Sequence, residues 1–394
     1  MKVTSSVKPG RKKGAGWLSK LNSWLHLWLG LVSGIIVFVV CLSGSLFVFC
    51  DEIIDGINHR AIYVQEVKER QLSTEALLLA FKKQMPEHKP FYFVAYKDPK
   101  RSFKVASADK RQHFKFTWLD PYTGKVLKTN GAYYFFYTVA HIHAELLLHD
   151  TGSLIVEIAT WIFLIELVTG LVLWWPKKWT NVFLDMCFKI KWKGKWKRVN
   201  YDLHNVLGFY SLIPTLLLTV TGLIIVNKPV NKVLHTSLGG KQEPYRELRK
   251  LAAAYSPGAA AAPLDTVIQR LFKLNSSVWQ VRLTIPPKDS VTFYYAIAAA
   301  HIGLKSHDGQ MLLIDKYSGK SLPIPAQLVK GERIESVNMN LHIGFWYGWI
   351  GKMITFVAGL IATSLPITGF LVWWGRTHKK KNKAGRPRQH LVVH

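Results

Sequence analysis

Cysteine is scarce in this 394-residue chain, which has three. Cys41, Cys50 and Cys187 suggest no pairing, so a disulfide framework is excluded. No C-x-x-C-H sequence for covalent haem is present, and no G-x-G-x-x-G or P-loop for a nucleotide. Any redox cofactor is therefore held non-covalently. Acidic residues are also few, 24 against 52 Lys and Arg, which leaves a net charge of +28. The mean hydropathy of +0.10 averages long apolar stretches with segments rich in Lys and Arg.

Four of those stretches, 25–49, 154–175, 206–226 and 350–374, are long enough to cross a hydrocarbon core, which takes roughly 20 apolar residues. The first is too long for a signal peptide and no small-residue cleavage pattern follows it, so it stays as a helix. An aromatic content of 13%, with 15 Trp, suits a bilayer. Lys and Arg mark the cytoplasmic side: Lys2, Lys8, Arg11, Lys12, Lys13 and Lys20 before the first stretch; Lys177 to Arg198 after the second; Arg376 to Arg388 after the fourth. Both termini are thus expected in the cytoplasm, and the basic excess reads as topology and contact with anionic lipid, with no nucleic-acid partner.

The chain repeats itself. Leu25-His26-Leu27-Trp28-Leu29-Gly30 and, later, Ser43-Gly44 match Leu203-His204-Asn205-Val206-Leu207-Gly208 and Thr221-Gly222 at a constant offset of 178. His143, Gly152, Thr169-Gly170 and Trp174-Trp175 match His342, Gly351, Thr368-Gly369 and Trp373-Trp374 at an offset of 199. Between the spans, Ser73 opens a helix expected over 74–83, followed by strands at 91–96, 102–106 and 113–119 and the turn Asp120-Pro121-Tyr122-Thr123-Gly124. The second copy has a helix over 265–273, strands at 279–285, 291–297 and 311–314, and the turn Asp315-Lys316-Tyr317-Ser318-Gly319. Both halves insert in the same direction, so an axis along the membrane normal relates them.

These paired L-H-x-x-x-G spans, T-G-x-x-x-W-W exits and D-x-[YT]-[ST]-G turns resemble the PepSY-associated transmembrane helix family. The fold class expected is a membrane protein: a four-helix transmembrane bundle built as two parallel repeats, with two extracytoplasmic PepSY-like α/β domains. Its divisions are a basic cytoplasmic tail (1–23), first span (24–50), first soluble domain (51–138), an extracytoplasmic helix with the second span (139–176), basic loop (177–202), third span (203–227), second soluble domain (228–337), a second such helix with the fourth span (338–375) and a basic tail (376–394). The resemblance implies haem in the bundle and reduction of ferric siderophores outside the bacterial inner membrane. Some relatives carry a fused flavin reductase domain, which this sequence lacks.

Imidazole is an axial ligand for haem iron, and side chains of facing helices hold cofactors in bundle cores. Across the pseudo-two-fold axis, His26 and His204 would sandwich one iron and His143 and His342 a second, giving two non-covalent haem b groups. A single histidine near a helix end is more commonly an interfacial or hydrogen-bonded residue; two gapless pairs favour ligation. His141 and His149 lack counterparts, Asn340 and Gly348 standing at the matching positions. Glu157 and Glu166 face Phe356 and Leu365 in the repeat. Glu166, deeper in the membrane, reads either as a proton or quinol site or as a protonated acid hydrogen-bonded between helices. Pro214 and Pro366 are expected to kink their helices. His113, Trp118, His301, His307 and the aromatic run from Tyr133 to Tyr137 are candidate substrate contacts, with packing the better reading.

The function expected is a ferric-siderophore or ferric-chelate reductase that takes electrons from a cytoplasmic or quinol donor. Two alternatives stay open: a non-redox membrane regulator or scaffold, and a component of siderophore or iron transport.

Overall fold

The computed structural model describes residues 16–176, 178–241, 252–303 and 309–378. Most of the two basic tails, Lys177 and His307 lie outside the described residues. The described chain forms two compact units, one of residues 16–38, 162–212 and 361–378, the other of residues 39–161 and 213–360.

Its elements, in order, are α1 (Trp17–Val48), α2 (Cys50–Ile62), α3 (Thr74–Gln84), β1 (Lys89–Tyr96), β2 (Phe103–Ala108), β3 (Phe114–Leu119), β4 (Val126–Asn130), α4 (Ala132–Glu145), α5 (His149–Trp174), α6 (Asn181–Phe188) and α7 (Trp196–Asp202). A π-helical turn, Leu203–Leu207, and the short helix Gly208–Tyr210 follow. Then come α8 (Leu212–Val226), α9 (Lys228–Ser237), α10 (Leu264–Lys273), β5 (Gln280–Thr284), β6 (Phe293–Ala299), β7 (Gln310–Asp315), α11 (Ala326–His342) and α12 (Gly348–Thr377).

Trp17–Val48, His149–Trp174 and Phe345–Thr377 are long and apolar enough to cross a membrane, and no more than a third of each apolar window is buried against protein. Side chains such as Val32 and Ile35 therefore present apolar surface suited to lipid. The third expected span is a bent pair, Trp196–Tyr210 and Leu212–Val226, in place of one straight helix. Pro214 has no N–H for the Tyr210 carbonyl, and the break falls between them at Ser211. Pro366, by contrast, sits inside α12 without interrupting it.

His143 lies on α4, which ends at Glu145, and α5 begins at His149, so the helix expected ahead of the second span is a separate element. Leu146, Leu147 and His149 adopt left-handed φ values of 52°, 59° and 52° to make this joint. At Gly152 a Cβ would overlap the Glu145 carbonyl, and at its counterpart Gly351 it would overlap the carbonyl of Gly344. The matched glycines thus let each span start hard against the end of the preceding helix. His342 is likewise the last residue of α11, outside the fourth span.

The soluble segments, read from sequence as two domains, contribute to a single seven-stranded antiparallel sheet in the order β4-β3-β2-β1-β5-β6-β7. Its two halves join where β1 pairs β5, with Val94 opposite Arg282 and Phe93 opposite Leu283. Leu77 and Phe81 of α3 and Val267, Ile268 and Leu271 of α10 pack together with Phe93, Val105, Val281 and Leu283 in one core. A second core holds Ile54 of α2 and Phe136 of α4 against Phe116 and Trp118.

The two helices also cap one another. Ser73 begins α3 by accepting from the Ala76 N–H, and Asp265 Oδ1 accepts from the Thr74 N–H at 2.9 Å. Glu75 Oε1 accepts in turn from the Leu264 N–H at 2.6 Å. Each helix start thus satisfies orphan donors with an acid from the other copy of the repeat.

Candidate functional site

The four histidines singled out by the repeat meet in two pairs. In the first unit, the rings of His26 and His204 have centroids 6.3 Å apart and an interplanar angle of 76°. In the second, His143 and His342 are 5.9 Å apart at 52°.

Their ring orientation follows from the Thr-Gly sequences of facing helices. His26 Nδ1 lies 3.1 Å from Thr169 Oγ1, His204 Nδ1 2.9 Å from Thr368 Oγ1 and His342 Nδ1 3.0 Å from Thr221 Oγ1. Each threonine hydroxyl donates its one proton to a carbonyl of its own helix: Thr169 to Ile165, Thr368 to Ser364 and Thr221 to Leu217. Its oxygen therefore acts as acceptor toward the histidine, and Nδ1 carries the hydrogen. His143 reaches the same state by a different contact, donating from Nδ1 to the Val40 carbonyl at 2.8 Å. In all four, the lone pair falls on Nε2, the tautomer a metal-ligating histidine held through Nδ1–H requires.

Glycine after each of those hydroxyl residues leaves room for the ring. A Cβ would come within 3.1 Å of His26 Cε1 at Gly170, 3.2 Å of His204 Cε1 at Gly369, 3.1 Å of His342 Cε1 at Gly222 and 2.8 Å of His143 Cε1 at Gly44. One more residue, overlooked in the sequence, completes three of the four clamps. Asn22, Asn200 and Asn338 stand four positions before His26, His204 and His342. Each donates from Nδ2 to the backbone carbonyl of the threonine its histidine meets, at 3.1, 3.0 and 3.1 Å respectively. Residues at i and i+4 share a helix face, so an N-x-x-x-H pattern was the available signal. The fourth clamp departs from it, with Val139 in the asparagine position and Ser43 in the threonine position.

The surroundings of the first pair suit a flat cofactor. A cavity of about 610 Å³ is lined by His26, His204, Gly30, Gly34, Phe209 and Trp373 among others, with Arg376 contributing a cation. His204 lies in the π-helical turn Leu203–Leu207, a form of helix that recurs at functional sites. Two imidazoles bound on opposite sides of one metal, with metal–nitrogen bonds of roughly 2 Å, place their ring centres roughly 6 Å apart, close to both observed separations. The donor set and the glycine-lined approach therefore fit haem. Among the described residues no group of three or more His, Cys, Asp or Glu forms a metal cluster, so a bare metal ion with a larger ligand set has no comparable site.

Glu166 is buried, with Oε2 3.2 Å from His26 Nδ1, and a Cβ at Gly30 would stand 3.0 Å from that oxygen. Glu157 is satisfied differently, accepting from Asn227 Nδ2 at 2.5 Å. Its repeat counterpart Phe356 packs on Phe49, the counterpart of Asn227, with ring centroids 5.3 Å apart. A polar contact in one half thus stands where the other half has an aromatic one.

His141 donates to Glu145 and packs on Tyr137 with ring centroids 4.2 Å apart, while the His149 side chain is 90% exposed. His113 lies against Tyr134, Trp118 is buried in the sheet core, and His301 packs on Phe345. Tyr133 and Tyr137 pack on Phe116 and Phe114. Trp174 is buried, stacks on Phe209 at 3.5 Å and donates to the Cys187 carbonyl, so it is a packing residue.

No curated protein matches the chain. The family profile described as the PepSY-associated TM region matches residues 23–376, and the chain therefore belongs to that family.

Proposed function

We propose that this protein is a haem-containing reductase of the bacterial inner membrane. It passes electrons from a cytoplasmic or quinol donor to a periplasmic ferric siderophore or similar ferric complex. The observation that carries this reading is the shared state of four histidines, each donating from Nδ1 and each facing a glycine, in two pairs. His26 and His204 would hold one haem b, His143 and His342 another. When bound, the iron alternates between Fe(III) and Fe(II) and so relays single electrons.

The chain's own groups supply the setting. Thr169, Thr368 and Thr221 fix three imidazoles, as the Val40 carbonyl fixes the fourth. Phe209, Trp373 and neighbouring apolar side chains limit water in the first cavity, and Arg376 offers a partner for carboxylate substituents of the macrocycle. Exposed Lys178, Lys193 and Lys195 on the loop after α5 suit an anionic cytoplasmic leaflet. A regulator or scaffold would use the sheet but has no need of four oriented imidazoles. A transporter is expected to break its helices at matched positions, whereas α1 is continuous where its counterpart breaks at Ser211.

The test is reoxidation of the dithionite-reduced protein. Ferric siderophores should return the haem to its oxidised spectrum with ferrous iron appearing in a chelator assay, while the metal-free siderophore should leave it reduced. Haem that stays reduced with every ferric complex would sink the reductase assignment.

A further inference from the structure

The two histidines of the second pair are related by the repeat, yet the helices that carry them are held differently. His342 ends α11, and Asn338, four positions earlier, donates from Nδ2 to the Thr221 carbonyl at 3.1 Å, while the Thr221 hydroxyl lies 3.0 Å from His342 Nδ1. One residue of α8 thus ties both the histidine and the helix turn before it. On α4 the asparagine position is taken by Val139, which is buried and has no side-chain donor. Ser43 stands where α8 has Thr221, and its hydroxyl is shared between the Val39 and Val40 carbonyls at 2.6 and 3.1 Å. His143 therefore shares its own acceptor, the Val40 carbonyl at 2.8 Å, with that hydroxyl.

The chain that follows each histidine differs in the same sense. After His342 the left-handed positions fall on Gly344 and Gly348, with φ of 79° and 53°, where no Cβ opposes them. After His143 the left-handed φ values of 52°, 59° and 52° fall on Leu146, Leu147 and His149. His149 stands at the repeat position of Gly348, and the two leucines stand at those of Phe345 and Trp346, which form a 3-10 turn. A bulky side chain in the left-handed region is strained, and such strain collects where a segment must change its conformation. Helix α4 thus presents its histidine beside a strained joint and without the asparagine tie.

We propose that His143 is the exchangeable ligand of the second pair: it withdraws as the joint between α4 and α5 relaxes, and a small neutral donor molecule takes its place opposite His342. In the exchange the bond from His143 Nε2 to the metal breaks and one from the incoming donor forms, with no electron or proton transferred. His342, tied through Thr221 and Asn338, stays in place. This role rests on the haem reading above and adds a ligand-binding position that two matched pairs alone do not imply.

Carbon monoxide is the probe, because it binds a reduced haem with two protein ligands only where one of them leaves. The dithionite-reduced protein should take up one carbon monoxide per chain, read from the absorption difference spectrum. Val139→Asn with Ser43→Thr rebuilds the clamp and should weaken that binding about tenfold or more, the size of effect that outer partners of metal ligands have on affinity. Leu147→Gly, at an exposed side chain, removes one strained position and should weaken it in the same direction. Asn200→Val removes the corresponding tie of His204 and should admit a second carbon monoxide, which keeps the test decisive if the rebuilt clamp does not fold. Amide hydrogen exchange gives a readout that needs no haem: residues 139–145 should exchange faster than residues 336–342, and Leu147→Gly should slow them. Two haems that bind no carbon monoxide, two molecules bound by the parent, binding unchanged in all three variants, or equal exchange of the two segments would overturn the proposal while leaving the haem reading intact. A parent protein that binds no haem would overturn both.

Discussion

Gly44→Ala is the sharpest perturbation of the histidine clamps. The added methyl would lie 2.8 Å from His143 Cε1 and 2.9 Å from its Nδ1, closer than real Cβ contacts allow. Either α1 shifts or His143 gives up its 2.8 Å bond to the Val40 carbonyl. Overpacking costs about 1–3 kcal/mol and an unsatisfied buried donor about as much. Against that, Ala in a helix interior gains up to about 1 kcal/mol over Gly, so the net loss should be about 0–3 kcal/mol. Gly56→Ala is the control, because Gly56 is inside α2 with nothing within 4 Å of the added methyl, so the helical gain stands alone. Gly170, Gly222 and Gly369, with clearances of 3.1 to 3.2 Å, should fall between. Thermal unfolding in detergent and haem per polypeptide are the measurements. Gly44→Ala should lower the unfolding temperature and lose the haem of the His143 and His342 pair, with the other pair retained. If Gly44→Ala matches Gly56→Ala in stability and haem content, the clamp geometry is wrong.

Asp265→Ala removes the acceptor of the Thr74 N–H and hydroxyl and should cost about 1–2 kcal/mol, with Asp265→Asn milder; equal melting of all three proteins would discount the mutual capping. Burial, with Glu335 adding to it, raises Glu332 from 4.5 to about 7. The folded protein then holds a proton that the unfolded chain releases, so this group's stabilising effect is full below pH 4.5 and is lost as pH rises through about 7. Discounted for partial exposure, the effect is about 1–2 kcal/mol; Glu332→Gln should melt higher than the parent at about pH 8 and alike at about pH 4, and parallel curves would refute the assignment. For topology, an impermeant thiol reagent applied to spheroplasts should label Lys125→Cys and spare Thr180→Cys, and the reverse pattern would invert the orientation. Native Cys187 is unsuited as a reporter because it is buried beside Trp174.

The apolar runs, the Ser73 cap and the strand alternation were legible because each is written in consecutive residues. The histidine pairs were legible too, since a constant offset along the chain survives folding as a symmetry. What escaped depends on distant partners. Nothing local to 91–96 says that this strand pairs with 280–284, so the joining of both copies' strands in one sheet was not foreseen. For the aromatic run from Tyr133 to Tyr137 packing was the better reading, and the run is the first half of α4 packing on β3. Strand β4, with the sequence Val126-Leu127-Lys128-Thr129-Asn130, is too short and polar to announce itself. The asparagine clamps were present as a pattern and missed because attention rested on the histidines. Glu166 stood out only as an unmatched acid; its closeness to His26 needed the facing helix.

Whether four oriented histidines hold two haems is decided by the absorption spectrum and extractable haem of protein purified from haem-replete cells. The expected result is a low-spin b-type spectrum with two haems per chain. His26→Ala or His204→Ala should remove or convert one, and His143→Ala or His342→Ala the other. A parent spectrum without haem, or four variants that all keep the full parent spectrum, would contradict it.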